Sequence, residues 1–335
     1  MGDWLYLTKV CIYAFLFTLV ISPFVIAMIK REKVGQVILN YVEEHSSKSG
    51  TPTMGGIIFV ISISLVAYLC IGENSTLSKL AILIFVAYGL VGFLDDFIKF
   101  KFKRNQGLRA YQKIIFQLII AVLMGVFVYK SDIVGSIVLI PFSKQSVDLG
   151  VWIIPLVALI YLATTNAVNL TDGLDGLASS TSLVYMLGFT VLLSLFLQTT
   201  FLGQDQIFVA EMKNLLVVSS VVVGAMLCFL IFNCFPAKIF MGDTGSLALG
   251  SMVSSLLIFS RLSFYIPFFG IMFVVSALSV ILQVAYYKLS HKRIFLMAPL
   301  HHHFEKKGVH EVRITVCYAL ITFFVGAVTI ILNIL

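Results

Sequence analysis

Asn214–Asn233 reads NLLVVSSVVVGAMLCFLIFN, 20 consecutive positions without a charged residue. At about 1.5 Å per residue a helix of this length is about 30 Å long, the thickness of a bilayer's hydrocarbon core. The stretch is one of many. The 335-residue chain is 60% hydrophobic and only 12% charged, with a mean hydropathy of +1.03. A soluble domain carries about 25% charged residues, so this chain has roughly half the charge that a water-facing surface needs. The composition excludes a soluble globular enzyme, a disordered chain and a coiled coil. Porin-type strands would alternate over short segments, whereas these runs are long and continuously apolar. The expected fold is an all-α, polytopic integral membrane protein in one transmembrane domain spanning 1–335.

Working outward, hydropathy places about ten spans near 5–29, 54–72, 77–97, 111–129, 151–168, 176–198, 214–233, 245–260, 263–287 and 312–334. The eighth is short and glycine-bearing, and the ninth is long enough to tilt or break. Segment 130–150 has Gly135, Pro141 and alternating apolar residues, so a small β-hairpin on the outer face is expected there. Leu5 to Ile29 has no small-residue cleavage site and is taken as a retained span. The five cysteines (Cys11, Cys70, Cys228, Cys234, Cys317) lie in or beside apolar runs with no Cys-x-x-Cys pair, which fits small hydrophobes better than a disulfide or zinc framework. No internal repeat of the kind found in secondary transporters is evident.

Ten spans put both termini on one side. Connections 30–53, 98–113, 169–175, 234–244 and 288–313 hold 17 of the 23 Lys and Arg residues. The positive-inside rule therefore assigns these five connections to the cytoplasm and both termini to the outside. The net charge of +7 is mostly this topology signal, not a nucleic-acid footprint, which would be a basic stripe on a soluble domain. All six histidines and ten of the sixteen acids fall in the same connections or at their edges. A channel or carrier would place ionisable groups near mid-span. Here the chemistry gathers at one membrane surface, where a water-soluble substrate meets a lipid headgroup.

Five stretches carry that chemistry. Asp95-Asp96 closes the third span, and two adjacent carboxylates at the hydrocarbon edge are costly unless they hold a cation or a basic partner. Lys99 is in the i,i+4 position for pairing with Asp95. Asn169-x2-Asp172-x2-Asp175 has helical spacing that would stack three oxygen donors along one face. No Lys or Arg occurs from 145 to 212 to neutralise them locally, although Asp175 also suits a cap on the sixth span. Asp243, in Gly242-Asp243-Thr244-Gly245-Ser246, suits either a helix N-cap or a hard-cation ligand. His301-His302-His303, followed by Glu305, cannot face one way together, which argues against an all-His zinc site and for donors to phosphate and sugar oxygens. Lys48-x-Gly50-Thr51-Pro52-Thr53-Met54-Gly55-Gly56 is a glycine- and hydroxyl-rich entry into the second span, suited to cradling phosphate or to a plain loop.

Together and in this order, these motifs resemble the polyprenyl-phosphate hexose-1-phosphate transferases, and among them the phospho-N-acetylmuramoyl-pentapeptide transferase branch. The resemblance covers essentially the whole chain, and the triple-histidine run is its most specific part. It implies ten transmembrane helices in the bacterial inner membrane and a cytoplasmic cleft. The implied reaction moves phospho-N-acetylmuramoyl-pentapeptide from UDP-N-acetylmuramoyl-pentapeptide to undecaprenyl phosphate, giving lipid I and UMP with Mg²⁺ required. By the family pattern Asp95, Asp96, Asp243, His301, His302 and His303 are catalytic, with Asp243 the Mg²⁺ ligand. Lys48, Asn169, Asp172, Asp175, Asn233 and Phe240 line the nucleotide site. The family also implies a homodimer. Thr53 joins the substrate-binding set through its place in the entry loop, and Lys99 and Lys113 through their charge, since a lysine holds phosphate as a point charge.

Phosphoryl transfer between two anions needs neutralisation more than covalent chemistry. Undecaprenyl phosphate is largely dianionic at neutral pH because the second pKa is about 6, so direct attack is expected, with Asp95 orienting the acceptor or removing a residual proton. Double displacement through an aspartyl phosphate is the rival mechanism. Two other functions compete: a related transferase using another UDP-N-acetylhexosamine, and a secondary transporter.

Overall fold

The computed structural model describes residues 2–31, 51–102, 107–143 and 145–334. Twelve α-helices follow in chain order: α1 (Gly2–Arg31), α2 (Gly56–Cys70), α3 (Thr76–Phe102), α4 (Ala110–Lys130), α5 (Ile153–Thr171), α6 (Leu177–Gln198), α7 (Gln206–Asn233), α8 (Gly242–Phe259), α9 (Ile266–Phe269), α10 (Ile271–Ser290), α11 (Leu300–Lys306) and α12 (Glu311–Ile334). Nine of the described helices are long and apolar enough to cross a membrane. The chain is therefore a multi-pass, all-α membrane protein. The second expected span, α2, has 15 residues and reaches only about 22 Å. It is short because Thr51–Gly55 is drawn into a loop pairing: Gly55 and Gly56 amides donate to the carbonyls of Phe240 and Met241, and the Phe240 amide donates to Pro52. The ninth expected span, long enough to tilt or break, breaks at Gly270, which separates the four-residue α9 from α10.

α7 and α8 form the centre. Every residue of α8 from Thr244 to Phe259 is buried. α3 and α5 pack on α8, α1 and α6 pack on α7, and α4 lies outside α5. The expected hairpin consists of two three-residue strands, β1 (Ile137–Leu139) and β2 (Ser146–Asp148), paired antiparallel with Ile137 opposite Asp148. Arg261 pins it to the turn after α8. Its guanidinium donates to the carbonyls of Ile133 at 2.7 Å and Val134 at 2.9 Å, and it lies 4.5 Å from the centre of the Phe208 ring.

The helices alternate in direction, so the bundle has two chemically different ends. The Tyr6 hydroxyl donates to the Cys70 carbonyl near the start of α1, and Asn333 accepts from the Phe142 amide near the end of α12. Both described termini therefore lie at the hairpin end. The C-terminal ends of α3, α5, α7 and α10 and the N-terminal ends of α4 and α8 meet at the other end.

Candidate active site

Asp95 and Asp96 lie in the penultimate turns of α3 and are only 3% and 5% exposed. Asp243 opens α8. One oxygen of each of these three carboxylates lies within 4.8 Å of the others. The approach depends on Gly92, because a Cβ there would collide with the Asp243 carbonyl. Only a residue without a side chain lets the α8 backbone sit this close to α3.

Lys99 bridges the acids, and Lys113 joins it on Asp243. Lys99 Nζ is 2.6 Å from Asp95 Oδ2 and 3.1 Å from Asp243 Oδ2, so the expected i,i+4 pair forms and reaches a second helix. Lys113 Nζ, from the first turn of α4, is 2.8 Å from the same Asp243 oxygen. The other oxygen, Oδ1, accepts from Asn169 Nδ2 at 2.6 Å, and Asn169 also donates to the Ser246 hydroxyl at 2.8 Å. Asp243 is thus gripped on both oxygens from three elements, and capping its own helix is not among its contacts. Asp96 caps α8 instead: it accepts from the amides of Asp243 at 3.3 Å and Thr244 at 2.9 Å and from the Thr244 hydroxyl at 2.7 Å. Asp95 Oδ1 accepts from the Leu108 amide at 2.8 Å, which folds the segment after α3 back onto the acids.

The row Asn169, Asp172, Asp175 does not share a helical face. α5 ends at Thr171, and Asp172 leaves the helix with ψ near 52°. Burial pushes the Asp172 carboxyl well above the usual carboxylate range, and the negative charges of Asp243, Asp96 and Asp175 push it the same way. Asp175 is 3% exposed and accepts from the Ala237 amide at 2.8 Å, so it holds the 236–238 loop and does not cap α6, whose N-cap is Gly176. Asn233 does similar work: it accepts from the Ser179 hydroxyl and donates to the Ile239 carbonyl at 2.9 Å. Phe240 is half-buried and anchored through its backbone. Thr53 is also half-buried, and its hydroxyl and an Asp96 oxygen both crowd Gly242. Lys48 lies outside the described residues.

The three histidines point three ways. His301 is fully buried, and neither ring nitrogen has a partner among the described residues. Burial, reinforced by neighbouring His302, lowers its pKa to about 3. Its Nε2 faces Gly173 so closely that a Cβ there would strike it, which places the histidine run against the Asp172–Gly176 turn. His302 Nδ1 is 2.8 Å from Glu305, and His303 Nδ1 accepts from the Leu296 amide at 3.1 Å.

Three carboxylates against two ammonium groups leave a negative excess, to which Asp172 adds when ionised. An all-oxygen, acid-rich donor set at this spacing suits a hard divalent cation more than a soft one. Sequence reasoning gave no role to Gly92, Thr244, Ser246 or the Leu108 amide. The spacing of Ser246 from Asp243, three residues along a helix, was the available signal for that residue.

The sequence is similar to those of known proteins. A sequence model described as Glycosyl transferase family 4 matches residues 77–261, and a signature described as Phospho-N-acetylmuramoyl-pentapeptide-transferase signature 1 matches residues 48–60. The chain is 43% identical to the Phospho-N-acetylmuramoyl-pentapeptide-transferase of Clostridium novyi (strain NT), over 92% of this chain and 91% of that one. It is 38% identical to the protein of that name from Clostridioides difficile (strain 630), over 97% of both chains. The Clostridium perfringens (strain 13 / Type A) protein of that name is 39% identical, over 93% of each.

Proposed function

The chain belongs to the phospho-N-acetylmuramoyl-pentapeptide-transferase family, within glycosyl transferase family 4, and from that premise we propose how its acidic cluster works. It is a membrane transferase of peptidoglycan precursor synthesis. Its donor is UDP-N-acetylmuramoyl-pentapeptide and its acceptor undecaprenyl phosphate; a phosphate oxygen of the acceptor attacks the sugar-side phosphorus of the donor. The new P–O–P link makes lipid I, and the old one breaks to release UMP. The excess of Lys and Arg in five connections supports a bacterial inner-membrane location with the acidic end in the cytoplasm.

Asp95, Asp96 and Asp243 would hold Mg²⁺, with Asp243 the principal ligand. When bound, the ion supplies charge neutralisation on the diphosphate and improves UMP as a leaving group. The protein's own groups do the remaining work. Lys99 and Lys113, both paired with Asp243, would hold phosphate oxygens as point charges. Asp95 orients the acceptor phosphate. Asn169 and Ser246 fix one Asp243 oxygen so that the other faces the substrates. Asp172, Asp175, Asn233, Phe240, Thr53 and Lys48 bind the donor, some of them through the loops they hold. His301, His302 and His303 complete the catalytic face, with His301 presenting a neutral imidazole.

The observation that carries this reading is the convergence of three carboxylates and two lysines from three helices at one end of the bundle. A carrier would instead need its ionisable groups along a mid-span path. The test is UMP release from UDP-N-acetylmuramoyl-pentapeptide by the purified full chain, with and without undecaprenyl phosphate and Mg²⁺. Asp243→Ala should lower kcat by at least about a thousandfold with the melting temperature retained. Near-normal turnover would remove Asp243 from the metal site, and a trapped phosphoaspartate would replace direct attack with double displacement.

A further inference from the structure

His301 is not the only buried polar group left without a partner beside the histidine run. The Tyr318 hydroxyl of α12 and the Ser276 hydroxyl of α10 are in the same condition, each fully enclosed and in no hydrogen bond with a described residue. The three are neighbours. The Tyr318 hydroxyl is turned toward the Ser276 hydroxyl and the backbone of His301, and its ring meets the imidazole edge-on with 6.2 Å between centroids. Around Tyr318 pack Leu174, Leu177, Met272 and Ile314, which bring no polar side-chain atom. Unpaired polar groups are costly in such surroundings, and a folded interior rarely leaves several of them together unsatisfied.

The fold fixes both sides of this seam. α10 carries the first turn of α11, because the Ser279 hydroxyl accepts from the Leu300 amide at 3.0 Å. α12 holds the turn after α5, because the Thr315 hydroxyl donates to the Asp175 carbonyl at 3.2 Å. Ser276 and Tyr318 each stand three residues from these ties, about one helical turn deeper in the bundle. The His301 ring presents its Nε2–Cδ2 edge to Gly173, so Nδ1 is on the far side of the ring from that glycine. A buried water takes about three polar partners, and the two hydroxyls and Nδ1 supply that number.

We propose that Tyr318 is a positioning residue for His301: with Ser276 it holds a buried water that donates to Nδ1, so that the single imidazole proton stays on Nε2, facing the Asp172–Gly176 turn. The water accepts from the Tyr318 hydroxyl and gives its two protons to Nδ1 and to the Ser276 oxygen. The bond made by one ring nitrogen decides which nitrogen keeps the proton. Nε2–H is then a fixed donor at the edge of the nucleotide site, and without the water the proton divides between the two nitrogens. The kinetic arm of the test rests on the transferase reading above; the spectroscopic arm does not.

The full chain is labelled with ¹⁵N-histidine and studied by NMR at neutral pH, the His301 resonances being those lost in H301Q. Wild type should show one tautomer, with Nδ1 unprotonated. Y318F should convert it to a mixture and lower kcat about tenfold, the loss typical when a histidine's hydrogen-bond partner is removed, with KM for UDP-N-acetylmuramoyl-pentapeptide unchanged. S276A should shift the tautomer in the same direction. Y185F removes another buried, unpaired hydroxyl, on α6 beside Phe273, and should leave the tautomer and kcat as in wild type. Melting gives an independent check, because deleting a hydroxyl that has no water partner raises the melting temperature. A raised melting temperature in Y318F with kcat and tautomer unchanged overturns the proposal. So does a wild-type His301 protonated on Nδ1, an equal tautomer shift in Y185F, or a loss of activity in Y318F with the wild-type tautomer. Absence of UMP release by wild type counts against the transferase reading alone, because the tautomer still reports on the seam.

Discussion

Asp243 is the second residue of its helix, where a carboxylate has two ordinary uses: satisfying the free amides of the first turn, or serving a ligand. The structure separates them by giving the first to Asp96 of another helix. Two adjacent acids in the sequence therefore have different tasks. Asp95 faces Lys99 and the Leu108 amide, and Asp96 ties α3 to α8. His301 shows the same dependence on surroundings. A histidine normally titrates near 6.5, but burial lowers this one to about 3, so the folded protein keeps it neutral while the unfolded chain gains a proton. The stability this neutrality confers is whole above pH 6.5 and declines as pH falls toward 3. The loss reaches about 3 kcal/mol two pH units below 6.5, at about 1.4 kcal/mol per unit. His301→Gln should accordingly flatten the fall in melting temperature between pH 6.5 and 4.5. Parallel curves for the two proteins would show that His301 is charged in the folded state.

Among elements, the register of α4 against α5 matters most to the site. Gln117 is fully buried in α4 and accepts from Asn166 of α5 at 2.8 Å. The Tyr88 hydroxyl of α3 donates to the Gln117 carbonyl at 3.0 Å. One turn toward the site from Gln117 stands Lys113, and one turn from Asn166 stands Asn169; these two grip opposite oxygens of Asp243. The amide pair thus sets where both partners of Asp243 arrive. Gln117→Leu should lower kcat about tenfold, through misplacement of Lys113 and Asn169, and raise the Mg²⁺ concentration for half activity. The stability cost should be about 1 kcal/mol. The exchange Gln117→Asn with Asn166→Gln should recover part of both. If Gln117→Leu leaves the Mg²⁺ requirement unchanged, the pair holds the bundle together without positioning the site. Sequence reasoning gave Gln117 no role, because both its burial and its pairing with Asn166 appear only in the fold. The Asn169–Asp172–Asp175 spacing misled for a related reason, because α5 stops at Thr171 and the row is split by a turn.

Across the whole molecule, the acidic cluster, the histidine run and the loop carrying Cys234 share one end, with the hairpin and both described termini at the other. Cys234 is exposed there, whereas Cys317 is exposed only within the spanning helix α12. A variant keeping Cys234 as its sole cysteine should react with a membrane-impermeant maleimide in inside-out vesicles and resist it in right-side-out ones. The reverse pattern would invert the proposed orientation. Much of this organisation was legible beforehand: the apolar runs, the hairpin, the unusual length of the ninth span and the crowding of polar residues into alternate connections. Hydropathy and charge are local quantities, and a bilayer of fixed thickness converts them directly into spans and sides. Which oxygen of Asp243 meets which lysine, why Gly92 has no side chain, and how Asp96 comes to cap a helix 147 residues away were decided by tertiary structure alone. Those contacts depend on each helix's rotation and register, which are set by close packing against neighbours distant in the chain.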